Sequence, residues 1–313
     1  MNTPRRLFLT QASLIAGAVV LKPGLLSAKN VNVIPHSQAG ITIYHTNDLQ
    51  GNINPVYKNV GGLRHIKAEL EKTGIKGTLL DAGGFMNSSQ STDNLKQFIY
   101  LMNTAGYQAA GISKYELSRG EEHLATLIPS MQFTLLNCNH HFNGQLGKMI
   151  KPYITINHGE YKIGVTGVCS PLKGIKYNDA VESANRIALL LKNDQKCDLV
   201  ICLSHLDGND TAQSPDNIAF AAQSENIDII IAGNSEILLS NATILRNKAK
   251  HEVTIAQAGY NGLMFGRTII GFDDNRQKNS LRAKHFIPGL PNGQSYAASV
   301  VALQQAKDIP SLT

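Results

Sequence analysis

The chain has 313 residues, 42% hydrophobic and 17% charged, with 29 Lys and Arg against 23 Asp and Glu for a formal net charge of +6 at pH 7. That apolar fraction supplies a core for one large domain or two small ones, so the chain is expected to be globular. The first 28 residues hold Arg5, Arg6 and Lys22 and no acid; without them 26 basic residues face 23 acidic ones, an excess too small to argue for a nucleic-acid partner.

Arg5-Arg6 stands ahead of Leu7-Phe8-Leu9 and an apolar stretch from Ala12 to Leu21, which is too short to make a stable membrane anchor. Leu26-Ser27-Ala28 offers a small-residue cleavage site before Lys29. The segment "TPRRLFLT" resembles the bacterial twin-arginine export signal. The resemblance implies passage through the twin-arginine translocase, removal of residues 1–28 and a periplasmic location.

From residue 29 onward, strands and helices alternate. Ile41-Thr42-Ile43 is a strand, and "GGLRHIKAELEK" puts Leu63, Ile66 and Leu70 at helical spacing. "GTLLDAGG" is a second strand, followed by a helix around "NLKQFIYLMNTAG", a short helix near "EEHLATLI" and the strand "FTLLNCN". A hairpin "YITINHGEYKIGVTGV", the helix "SANRIALLLKN" and the strand "DLVICLSH" come next. The helix "NIAFAAQS", the strand "IDIIIAG" and the β-rich "HEVTIAQAGYNGLMFGRTIIGFD" close the series.

This order predicts an α/β layered domain with mixed sheets over residues 29–275. Residues 276–313, punctuated by Pro and Gly with one short helical pattern, read as a tail. Cys138, Cys169, Cys197 and Cys202 form no CxxC pair, and their flanks place them in or beside strands as small buried hydrophobes.

Several strands run out into polar residues: His45, Asn47 and Asp48; Asp81; Asn137 and Asn139; Ser204, His205 and Asp207; Asn234 and Glu236. Ligands of α/β sheets bind where the carboxyl ends of strands meet, so these loops are expected to converge on one cleft. His140 and His141 follow a strand that ends nearby and are candidate ligands, whereas His65 inside a helix reads as a surface or interlayer residue. "DGND", residues 207–210, has the composition of a cation-binding turn. Tyr260 and Phe265 read as packing residues.

"ITIYHTNDLQGN" resembles the "ITILHTNDxHG" signature of the calcineurin-like metallophosphoesterases, specifically the bacterial periplasmic 5'-nucleotidase family. The likeness runs on through "GGLRHI", "TLLDAGG", "MNTAGYQAAGISKYELSRG", "YKIGVTGV", "ICLSHLDGND", "IDIIIAGNSE" and "AQAGYNGLMFGR", covering most of residues 40–275 in the family's order. It implies a four-layer α/β/β/α sandwich of two mixed sheets. At the strand ends it implies two divalent metals sharing a carboxylate, clamping a phosphoester and supplying the nucleophilic hydroxide.

The ligands the family would place here are mostly replaced. Asp48 is present, but the histidine two residues on is Gln50, and the bridging aspartate falls on Gly84. The metal-binding asparagine falls on Lys114, the histidine that stabilises the transition state on Tyr115, and its aspartate partner on Ser118. His205 is retained, while the last two ligands become Asn234 and Glu236. A lysine ammonium ~4 Å from a dication would repel it by roughly 8 kcal/mol at an effective dielectric near 20.

The resemblance therefore implies the fold without the hydrolase. The leading expectation is an exported protein with a degenerate metal site and no resident cofactor, whose Lys114 stands in for a metal's charge and binds a phosphorylated or other anionic small molecule. An active hydrolase with one divalent ion, Mn²⁺, Zn²⁺ or Co²⁺, on Asp48, Gln50, His205 and Glu236, with Asn234 beside them, is the alternative. A protein-interaction or assembly factor is the second. Because the family's large nucleobase-binding C-terminal domain has no counterpart in this chain's residues, nucleotide specificity is not carried over.

Overall fold

A computed structural model describes residues 40–74, 76–207, 215–238 and 241–312. The export-signal residues and most of "DGND" lie outside them.

The first sheet has the strand order β14-β13-β1-β2-β3-β4. Its parallel strands are β1 (Gly40–Thr46), β2 (Thr78–Asp81), β3 (Tyr107–Gly111) and β4 (Thr134–Leu136), with β13 (Phe265–Phe272) antiparallel beside β1 and β14 (Lys278–Phe286) antiparallel beside β13. The second sheet has the order β11-β12-β10-β9-β7-β6. There β7 (Tyr161–Cys169), β9 (Leu199–His205), β10 (Ile229–Ala232) and β12 (Glu252–Ala256) are parallel, flanked by antiparallel β6 (Tyr153–His158) and β11 (Thr243–Arg246). A small ribbon pairs β5 (His140–His141) with β8 (Lys176–Tyr177).

Period-two alternation assigns the faces. Ile41 and Ile43 of β1 and Leu80 of β2 turn inward onto Ile163, Ile201, Leu203 and Ile231 of the second sheet, forming the core between the sheets. On the outer side of the first sheet, α1 (Leu63–Thr73) and α2 (Thr92–Ala105) bury Leu63, Ile66, Leu95, Phe98 and Met102. Outside the second, α5 (Ala180–Asn193) and α6 (Asn217–Gln223) bury Ala184, Ile187, Leu191 and Phe220. Two short helices, α3 (Glu121–Leu127) and α4 (Gly144–Met149), add Leu124, Leu127 and Leu146 to the outer core of the first sheet. The result is a mixed α/β four-layer sandwich. Two of its long helices begin where short polar side chains take the first free amides: Ser91 accepts from the Asn94 amide and Asp179 from the Glu182 amide.

The stretch read as a tail is partly sheet. β14 pairs along nearly its whole length with β13, from Phe265 opposite Phe286 to Gly271 opposite Ser280. Its pattern is hard to see because an edge strand buries little: His285 is its one fully buried residue. After it, α7 (Tyr296–Gln305) and the residues up to Leu312 pack Leu303 and Ile309 against Leu238, Leu263 and Ile287. All four cysteines are buried free thiols.

Candidate functional site

The loop after β1 is strapped to the loop after β2. The amides of Asp48, Gln50 and Gly51 donate to the carbonyls of Gly83, Gly84 and Phe85 at 2.9, 3.0 and 2.7 Å. These bonds hold Asp48 and Gln50 at φ 51° and 49°, the left-handed region that only a few side chains enter readily. The aspartate's short polar side chain makes that tolerable; for the glutamine, the straps carry it.

Asp48 points inward and is fully buried. One carboxylate oxygen, Oδ1, lies 2.8 Å from His205 Nε2 at the end of β9. The other accepts from Asn47 Nδ2 at 2.9 Å and from the Asn234 amide at 2.7 Å. Burial acts to lower the His205 pKa, but the Asp48 charge and its hydrogen bond, with Glu116 and Asp81 behind them, outweigh it, and the net shift is upward. The contact is a buried histidine–carboxylate pair in which the Asp48 carboxylate favours the protonated ring.

Two glycines leave the room for this pair. A Cβ at Gly84, where φ is +71°, would stand 2.5 Å from Asp48 Oδ1 and 2.9 Å from His205 Nε2. One at Gly233 would stand 2.8 Å from the His205 ring.

Two more acids lie near the pair. Glu116 is buried and accepts from the Ser113 hydroxyl at 2.6 Å and from the amides of Ser113, Gly84 and Met86 at 2.8, 3.2 and 3.1 Å. Burial raises its pKa against those bonds. It braces the loop that carries Gly84. Asp81, at the end of β2, is raised to about 7 by burial, opposed by bonds from Thr46 Oγ1 at 2.6 Å and the Gly83 amide at 2.8 Å.

The remaining predicted residues are placed differently. Tyr115 is buried and meets the His205 ring edge-on at 5.8 Å; burial, then Asp48 and Glu116, push its hydroxyl up to about 12. Lys114 turns out to solvent, its ammonium 4.9 Å from the centroid of the Tyr115 ring. Gln50 stays beside the pair, its amide nitrogen 3.3 Å from the Gly84 carbonyl and its oxygen 3.3 Å from Asn87 Nδ2. Asn234 gives its backbone amide to Asp48 and its side chain to Leu206 O and Asp207 Oδ1. Glu236 is exposed and accepts from the Leu312 amide at 2.6 Å.

His140 accepts from the Leu172 amide at Nε2 and faces Cys169 Sγ at 3.6 Å across Nδ1; burial and then His141 push its pKa down to about 4. His141 is exposed. Asn261, which motif reading missed, ties three parts together. Its amide donates to the Asp48 carbonyl, its side-chain oxygen accepts from Asn52, and its side-chain nitrogen donates to the Pro310 carbonyl. Only its place in a glycine-flanked turn hinted at this.

Asp48 Oδ1 and His205 Nε2 bond to each other, and a Cβ at Gly84 would enter the space they share. Among the described residues, no three His, Cys, Asp or Glu side chains gather in an arrangement that could hold a metal ion.

No family model matches the chain. It is 22% identical over 277 residues to the trifunctional nucleotide phosphoesterase protein YfkN of Bacillus subtilis, spanning 75% of this chain and 18% of that protein. Against the 5'-nucleotidase of Vibrio cholerae it is 24% identical over 225 residues, 63% of this chain and 40% of that one. The chain therefore spans well under half the length of these relatives.

Among solved structures, the 5'-nucleotidase precursor from Thermus thermophilus superposes with a TM-score of 0.71 at 19% identity, covering 85% of this chain and 58% of that one. The Haemophilus influenzae NAD nucleotidase gives 0.67 at 21%, covering 78% and 49%. The fold is the metallophosphatase-like fold of these neighbours.

Proposed function

We propose that this chain is an exported protein of metallophosphatase fold in which a direct Asp48–His205 ion pair takes the place of the two-metal centre, and that it is a non-hydrolytic accessory protein binding a phosphorylated or other anionic small molecule. The observation that carries the reading is the buried 2.8 Å contact between the two retained ligands, made possible by Gly84 and Gly233. A hydrolytic centre needs these groups turned to cations. Here each neutralises the other.

Anion recognition in this reading belongs to Lys114. It lines a recess of 430 Å³ with Lys173 and Ser118, apart from the Asp48–His205 pair. Two ammoniums against the single carboxylate of Glu121 leave this recess basic. Export by the twin-arginine translocase rests on Arg5-Arg6 and the apolar stretch behind them.

The test is made on mature protein purified from its own host. Elemental analysis is expected to find far less than one divalent metal per chain, and a phosphoester panel with Mn²⁺, Co²⁺ or Zn²⁺ no turnover that Asp48→Ala removes. Inorganic phosphate is expected to bind, and to bind more weakly to Lys114→Ala. Two metals per chain with Asp48-dependent hydrolysis would overturn the reading; one metal with hydrolysis would establish the mononuclear alternative on Asp48, Gln50, His205 and Glu236.

A further inference from the structure

Beyond α7 the described chain, up to Leu312, forms neither helix nor strand, and it returns to the loops that hold Asp48. The Pro310 carbonyl accepts from Asn261 Nδ2 at 2.6 Å, and the Leu312 amide donates to Glu236 Oε1 at 2.6 Å. At the end of α7, the Gln304 side chain accepts from the Leu238 amide at 2.8 Å and donates to the Glu236 carbonyl at 3.3 Å.

Both anchor loops reach the buried pair. Asn261, in the turn after β12, donates its amide to the Asp48 carbonyl at 2.7 Å. Asn234, two residues before Glu236 in the loop after β10, donates its amide to Asp48 Oδ2, also at 2.7 Å. The backbone and the carboxylate of Asp48 are each held by a loop that the C-terminal segment holds in turn. Packing follows the same path: Ile309 joins Leu238, Tyr260 and Leu263 in a satellite cluster whose buried members come from loops and α7, none from a strand.

Asp48 and His205 are 0% and 3% exposed, so a solute reaches them only when part of the rim moves. The loop after β1 is fixed by three backbone bonds, and Glu116 braces the loop after β2 through the Gly84 and Met86 amides. Residues 306–312 hang instead on the Asn261 and Glu236 side chains and on one buried apolar residue, Ile309. Segments with so few buried contacts open locally at a cost far below that of global unfolding.

We propose that residues 306–312 are a latch that gates access to the Asp48–His205 pair. Closed, it holds the loops after β10 and β12 against Asp48 and keeps the Glu236 carboxylate engaged with Leu312. Released, it lets those loops swing out and opens the pair to solvent and small solutes. The gate works on residues separate from the Lys114 recess, so it does not depend on phosphate binding there.

The experiment follows single amides of the full chain by hydrogen exchange and NMR. Glu236→Ala removes the acceptor for Leu312 at an exposed site. Asn261→Asp removes the donor to Pro310 while keeping the oxygen that Asn52 uses and a residue type that tolerates φ 55°. In the double variant the Leu312, Asn234 and Asn261 amides are expected to exchange about tenfold faster or more, an opening easier by roughly 1.4 kcal/mol. Amides inside β3 and β9 keep their wild-type rates. Glu236→Gln retains an acceptor oxygen and is expected to stay closed. Should the double variant fail to fold, Glu236→Ala alone carries the same readout, with a smaller acceleration at the same three amides. The proposal is overturned if Leu312 exchanges faster while Asn234 and Asn261 do not, which makes the segment a passive tail. It is equally overturned if the acceleration spreads to β9, which is global destabilisation, or if Glu236→Gln opens the site as far as Glu236→Ala.

Discussion

Replacing His205 by alanine leaves Asp48 buried with its negative charge and two of its three side-chain partners, the Asn47 side chain and the Asn234 amide. Removing one member of a buried pair costs about 3–5 kcal/mol, because the survivor keeps its desolvation penalty without its counter-charge. For a domain of this size, about 2–3 °C is lost per kcal/mol, so the melting temperature should fall by about 6–15 °C. Urea unfolding followed by circular dichroism measures the change. Pairing His205→Ala with Asp48→Asn in a double-mutant cycle isolates the interaction: the double variant should be more stable than the sum of the single losses by about 2 kcal/mol or more. EDTA should leave the wild-type transition where it was. Additive losses, His205→Ala costing under about 1 kcal/mol, or a chelator-induced fall in the wild type would refute the ion pair as the element that closes the site.

Gly84→Ala should cost about 2–4 kcal/mol in urea unfolding, combining a side chain at positive φ with displacement of the buried pair. Asp81 has a folded pKa raised to about 7 from 3.8, so the folded state holds its proton more tightly than the unfolded state does. Stability from this group is present below about pH 4 and lost as pH rises toward 7; Asp81→Asn should therefore lie close to wild type at pH 3.5 and exceed it at pH 7.5, which unfolding curves at the two pH values check. Leu303→Ala, removing a buried side chain of α7, should cost about 2–4 kcal/mol and release the segment after it to limited proteolysis.

The layered fold was legible because its physics is local. Ile41 and Ile43 alternate with polar neighbours, and Leu63 and Ile66 repeat at helical spacing. β14 was not, since its outward Arg282 and Lys284 and half-exposed Leu281 and Ala283 look like any solvated stretch until β13 lies beside them. The site divides the same way. That Gln50, Gly84, Lys114 and Asn234 depart from a metal-binding pattern can be read from the residues themselves. What they do instead cannot, because Asp48 and His205 meet across 157 residues of chain and through the missing side chains of two glycines. Nor does motif spacing disclose that Lys114 leans on the Tyr115 ring, or that Glu236 is held by the amide of Leu312.

Gly84 also bears on whether the change can be reversed. An aspartate restored there alone must push into the space that Asp48 Oδ1 and His205 Nε2 share, opening the pair before any cation is held. A histidine restored alone at position 50 or 234 adds a ligand to a centre that still lacks its bridge. In the proposed reading, each first step toward two-metal chemistry is expected to cost stability or to gain nothing, and the stability of the single revertants compared with that of the combined one measures the gap.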